Sequence, residues 1–229
     1  MPATWDGVLG AESAAAAVYE VMFGKLFDAT VGRIRESLPE PKPSQPFMRP
    51  RFLGQLTRAV GNDDPLFLDR LPYDSWDEPL ALALDAAAAY LDEELGPDGW
   101  AWGKLHFVEF RHALGRTERE AALFTPGRLP VGGDWSTAFN TGYALTFFGG
   151  FSGGPLDFRA TTFPLYRQII DLADVRRSVF ILPPGQSGHV ASPHYADLLD
   201  DFLNLRYRPL LWEESDIEAN AEGHLTLTP

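Results

Sequence analysis

The chain has 229 residues, no cysteine, and a net charge of −13 from 19 basic and 32 acidic side chains. Disulfides, thiol catalysis and cysteine-ligated zinc are thereby excluded, and so large an acidic excess argues against binding nucleic acid or an anionic membrane surface, both of which need clustered Lys and Arg. At 45% hydrophobic the composition is that of a folded domain rather than a disordered chain.

Residues 12–38 read as a long helix. An alanine run is followed by Met22, Phe23, Leu26, Phe27, Val31, Ile34 and Leu38 at steps of three and four. Pro39 stops it, and the proline-rich stretch 39–46 reads as an extended connector. Residues 47–60 suggest a second helix interrupted by Pro50. Ser75 opens a third helix in this reading. Ser75 and Glu78 have capping-box spacing, Leu80, Leu84, Ala88 and Leu91 share one face, and Gly96-Pro97 ends the pattern. Most of the negative charge falls here, with 11 acidic and one basic side chain between residues 61 and 100. A solvated helix face explains such a run, and the spacing fits no EF-hand loop.

Beyond Trp100 glycines and aromatics become frequent and strand-like runs appear at 137–148, 166–172 and 178–182. The last two are close enough to form a hairpin across residues 173–177. Residues 194–205 read as a short amphipathic helix and 225–227 as a last strand. Helices first and antiparallel strands afterwards, residues 1–100 mainly helical and 101–229 mainly stranded, predict an α+β fold. No apolar run approaches a membrane span, and residues 1–6 show neither the basic nor the apolar region of a signal peptide.

Three local patterns invite chemistry. Residues 150–154, Gly-Phe-Ser-Gly-Gly, match G-x-S-x-G, but no helix pattern follows Pro155, and a nucleophile elbow needs one. Ser187 lies near His189 and His194, where an ordinary polar loop competes with a Ser-His pair. His106, Glu109 and His112 are possible metal ligands, yet neither a strand nor a helix brings all three to one side. Asp171, at the end of an apolar strand, reads as a buried and paired carboxylate, with a catalytic carboxylate as the alternative.

Five segments, taken in order, resemble the C-terminal part of the β subunit in the penicillin acylase family. They are Trp5-Asp6-Gly7 with residues 12–20; Trp102-Gly103 with His106; Gly132-Gly133-Asp134 with Thr137; Tyr166-Arg167 with Asp171-Leu172; and Pro183-Pro184-Gly185-Gln186-Ser187-Gly188 followed by His194-Tyr195 and Asp197. The resemblance implies an N-terminal-nucleophile amidohydrolase with an αββα sandwich, in which a serine freed by self-cleavage attacks a linear acyl amide and its own α-amine serves as base. Such an amine titrates near working pH. That serine segment and the family's oxyanion asparagine and calcium ligands find no match here, and removal of Met1 would expose Pro2. The resemblance therefore carries over no catalytic residue, metal ligand or cofactor. It implies scaffold, with Gly185, Gln186, Ser187, Gly188, His194, Tyr195 and Asp197 forming a loop-to-helix staple. It also implies partners: the missing α subunit and N-terminal β segment, or self-association through unpaired strands. Family members are often periplasmic or secreted. Two other readings stand beside it. One is a free-standing, non-catalytic binding or assembly protein derived from that family. The other is an independent serine hydrolase using Ser152 or Ser187.

Overall fold

In the computed structural model, residues 5–36, 49–62, 64–143 and 156–228 are described. They form two compact units. The first comprises Met1–Glu109 and Arg128–Phe163, the second Phe110–Gly127 and Pro164–Pro229. The proline-rich connector and the G-x-S-x-G segment, with Ser152, lie outside the described residues.

In the first unit, helix α1 spans Ala14–Phe27. Ser13 caps it, its hydroxyl accepting from the Ala16 N–H at 3.1 Å. The helix then continues as a π-turn, Asp28–Gly32, and a short helix α2, Arg33–Glu36. The single long helix read from periodicity thus changes pitch. Thr30 accompanies the change: its buried hydroxyl donates to the carbonyls of Leu26 at 2.8 Å and Phe27 at 3.3 Å, competing for acceptors of the regular ladder.

Helix α3 spans Arg49–Gly61 and α4 Pro65–Leu68. Pro50 does not interrupt α3 as expected. It sits in the first turn, where a missing N–H leaves no bond unmade. Helix α5 spans Asp77–Leu95 and is the principal neighbour of α1. Its buried positions are Pro79, Ala83, Ala87 and Leu91, and the small alanines let the two axes approach closely. The expected Ser75 cap is corrected: Trp76 is the N-cap residue and makes no side-chain cap bond. Asp77 and Glu78 instead complement the dipole in the first turn.

Helix α6, Trp102–Leu105, leads into β1, Phe107–Glu109, which pairs antiparallel with β2, Arg128–Pro130. Between them, in the second unit, α7 spans Glu118–Phe124. Trp102 is fully buried among Leu9, Val21, Leu91, Tyr143 and Phe158 in the core of the first unit.

The second unit contains a three-stranded antiparallel sheet in the order β3, Arg167–Ile169; β4, Val179–Ile181; β5, Arg208–Pro209. The expected hairpin is present, with Gln168 opposite Phe180. Asp171 is half-buried and staples its turn. Oδ1 accepts from the N–H groups of Ala173 at 3.0 Å and Asp174 at 3.2 Å, while Oδ2 meets Arg177 at 3.3 Å. Helix α8 spans Leu199–Leu203 and α9 Glu214–Asn220.

The fold class is α+β, with helices followed by antiparallel strands, and among the described residues of 101–229 the strands are short. Each described strand has two or three residues. Within 137–148, the described part forms bends and one bridge, Tyr143 to Ala160. The reason is local. The Asp134 carboxylate accepts from the N–H groups of Ser136 at 2.7 Å and Thr137 at 2.8 Å, which holds the chain in a turn. Residues 225–227 form no strand, and Leu225 and Leu227 are exposed.

Candidate functional site

Three of the five segments that carry the resemblance meet inside the first unit. Glu20 comes from α1, His106 from the end of α6, and Asp134 from the loop after β2. Glu20 sits one turn from Ala16 and from Gly24 on the buried face of the helix and is 2% exposed. The Tyr143 hydroxyl donates to its Oε2, while Oε1 has no hydrogen-bond partner among the described residues. Burial pushes the Glu20 carboxyl up to about 8, the Asp134 charge reinforces this, and the Tyr143 hydrogen bond opposes it. Glu20 is therefore a neutral acid at pH 7. Burial and the charge of Glu20 raise the Tyr143 phenol as well.

His106 is fully buried and stacks on Trp102 at 4.5 Å between ring centroids. Its Nδ1 donates to the Phe158 carbonyl at 2.6 Å, and Nε2 lies 3.1 Å from Thr141 Oγ1. Thr141 Oγ1 in turn lies 2.6 Å from the Gly132 carbonyl. Burial pushes the imidazole down to about 4, against hydrogen bonds and the Asp134 charge that favour the cation. The neutral ring brings one proton and the threonine another, so three contacts share two protons. The Thr141 hydroxyl accordingly serves either Nε2 or the Gly132 carbonyl. Gly133 beside it has φ +83°, and a Cβ there would meet the Phe139 carbonyl oxygen at 2.1 Å. Trp102 Nε1 closes the network by donating to Gly133 O at 3.0 Å.

A cavity of about 510 Å³ opens beside this network, lined by Glu20, Asp134, Tyr143, Tyr19, Trp135 and Arg58 among others. The cluster contains acids, phenols, a neutral imidazole and two hydroxyls that meet a base: Thr141 Oγ1 lies 3.1 Å from His106 Nε2, and Ser136 Oγ donates to Asp134 at 2.9 Å. Thr141 and His106 are both fully buried, which closes that pair to a substrate.

His106, Glu109 and His112 do not converge. Glu109 Oε1 accepts from Arg128 at 3.0 Å, and in the second unit His112 stacks on Phe124 at 5.0 Å. No group of three or more ligand-type side chains among the described residues could hold a metal.

The Pro183–Asp197 segment lies in the second unit. Ser187 Oγ accepts from the His189 N–H at 3.1 Å, and His189 Nδ1 accepts from the Ala191 N–H at 3.2 Å. The serine thus turns its own loop instead of pairing with an imidazole. His194 lies 3.1 Å from Asp197 and 3.0 Å from Glu222, and both acids raise its pKa. The Tyr195 hydroxyl donates to the Phe124 carbonyl. Gly185 is required by close approach, since a Cβ there would meet the His194 carbonyl oxygen at 2.3 Å; around Gly188 the space is open. Gln186 is exposed. The expected helix start at His194 is corrected. The backbone there bonds across the loop, Ser187 N to His194 O at 3.0 Å and Leu198 N to Pro184 O at 3.1 Å, so α8 begins only at Leu199. Asp197 consequently lies before the helix and pairs with His194, with Arg208 Nη1 at 3.6 Å.

In the sequence Glu20 lies within a segment that carries the resemblance but has no evident role, and Tyr143 and Thr141 belong to none of the candidate patterns. The available signal was an acid in the middle of an alanine-rich apolar face, a position where a carboxyl must be paired or neutral.

Residues 3–219 match the family model described as penicillin amidase. The chain belongs to the penicillin amidase family. Two relatives from this family are each 32% identical over 98% of the chain. One is acyl-homoserine lactone acylase QuiP of Pseudomonas aeruginosa PAO1, the other penicillin acylase 2 proenzyme of Pseudomonas sp. strain SE83. The chain spans 28% of the length of either. A thermostable penicillin G acylase from Alcaligenes faecalis aligns structurally over 95% of the chain and 38% of its own, with TM-score 0.43 and 19% identity.

Proposed function

We propose that the chain is the C-terminal scaffold portion of an amidohydrolase that cleaves linear acyl amides. The first unit supplies helices and the Glu20–Tyr143–His106 network to an αββα sandwich. The serine nucleophile comes from a part of the family's length outside this match. The catalytic assembly then requires the α subunit and the N-terminal β segment as partners. The relatives' names suggest two substrate classes, penicillins and acyl-homoserine lactones.

The observation that carries this reading is the convergence of three distant family segments on one buried, hydrogen-bonded cluster. Buried networks of this kind fix a single arrangement of their elements. The experiment is co-expression of the chain with α and N-terminal β segments, followed by an assay of acyl-amide hydrolysis. The complex should hydrolyse the amide and the chain alone should not. A folded complex without hydrolysis, beside a chain that folds alone as a monomer, refutes the proposal.

A further inference from the structure

The cavity beside Glu20 has a chemistry that scaffolding does not explain. Its volume, about 510 Å³, is in the range of small-molecule sites. Tyr19, Phe23, Trp135 and Tyr143 give it an aromatic lining. Two of these rings are held in place. The Trp135 indole donates to the Tyr143 carbonyl at 2.5 Å, and Tyr19 stacks with Phe23 at 6.4 Å. The charged lining is two acids, Glu20 and Asp134, and one base, Arg58. Asp134 is engaged with Ser136 and Thr137. Glu20 is different. One carboxyl oxygen accepts from Tyr143, and the other, with the residue only 2% exposed, has no partner among the described residues.

A buried carboxyl oxygen without any hydrogen-bond partner is unfavourable, whether it is the O–H of the neutral acid or an acceptor of the ionised one, unless something supplies that partner. Aromatic faces attract cations, and a carboxyl takes a charge-assisted hydrogen bond from N–H. A carboxylate or phosphate ligand would meet the Asp134 charge and would hold Glu20 in its neutral form, forming no ion pair with it. We propose that this cavity binds a primary ammonium carried on an aryl or alkyl body, with Glu20 as its ion-pairing partner. The site lies wholly within the first unit, and the inference does not depend on the amidohydrolase reading.

Binding of a cation draws the proton from Glu20, which burial otherwise keeps in place up to about pH 8. The groups facing it are Tyr19 on α1, Arg58 on α3, Asp134 on the loop after β2, and Tyr143. Helix α5 buries only Pro79, Ala83, Ala87 and Leu91, and so adds no charge to that interface. Ammonium binding therefore releases a proton, and affinity rises as pH climbs toward about 8.

The test is isothermal titration of the chain with benzylamine, 2-phenylethylamine and cyclohexylmethylamine in buffers of different ionisation enthalpy, with 2-phenylethanol as the uncharged match. At least one amine should show saturable single-site binding, about tenfold or more tighter than the alcohol, with proton release. Glu20→Gln keeps the shape and the Tyr143 contact and should weaken amine binding about tenfold or more. Arg58→Gln, at an exposed position of α3, removes a like charge and should strengthen it several-fold; it serves if Glu20→Gln does not fold. No saturable amine binding, equal affinity for amine and alcohol, or amine affinity unmoved by either substitution overturns the proposal. Hydrolysis is not read here, so failure leaves the scaffold reading standing.

Discussion

Glu20 and His106 set opposite pH dependences from one buried cluster. Glu20 titrates near 4.5 when unfolded and about 8 when folded. Its contribution is thus complete below 4.5 and lost as pH rises through 8. His106 titrates near 6.5 when unfolded and about 4 when folded, so its contribution is present above 6.5 and lost as pH falls through 4. Comparing Glu20→Gln with the parent isolates the first effect. Urea unfolding from pH 5 to 9 should show parental stability declining relative to the variant by a few kcal/mol. Parallel profiles would contradict the neutral, buried carboxyl. Thr141→Val removes the hydroxyl that lies between His106 Nε2 and the Gly132 carbonyl and should cost about 1–3 kcal/mol. Little of this was legible in the sequence. Composition marks Glu20 as anomalous on an apolar face, but nothing local pairs it with Tyr143, 123 positions away.

Elements were legible where the signal is short-range. The alanine helix, the α5 pattern with its Gly96 stop, and the hairpin around residues 173–177 rest on periodicity and turn chemistry and are present. The structure departs from the sequence reading where a loop makes its own hydrogen bonds: backbone bonds from Ser187 to His194 and from Leu198 to Pro184 delay α8, and the Asp134 carboxylate turns the described part of 137–148. The capping box illustrates this. The Ser75 spacing fits but is unused, whereas Thr117 and Glu120 form a complete box at α7. Thr117→Ala should therefore destabilise α7 by about 1 kcal/mol, read as faster amide exchange in Glu118–Phe124, and Ser75→Ala should be near neutral. Equal effects would contradict the assigned caps. The glycines of the 183–197 loop make a second contrast. Gly185→Ala forces a Cβ onto the His194 carbonyl and should lower the thermal midpoint by several degrees, while Gly188→Ala, in open space, should leave it nearly unchanged.

Over the whole chain, the charge of −13 proves to be largely a solvated surface. Asp77, Glu78, Asp85, Asp92, Glu93 and Glu94 of α5 are all exposed, as expected of a covering helix. The family was legible because its segments are ordered along the chain; their convergence in space was not, since it depends on packing of α1, α6 and the loop after β2. The central claim is that these segments build scaffold for chemistry performed elsewhere in a larger assembly. The most direct measurement is acyl-amide hydrolysis by the purified chain alone and by the same chain co-expressed with family α and N-terminal β segments. The account predicts turnover only in the complex. Turnover by the chain alone, abolished by replacing one of its own serines, would contradict it.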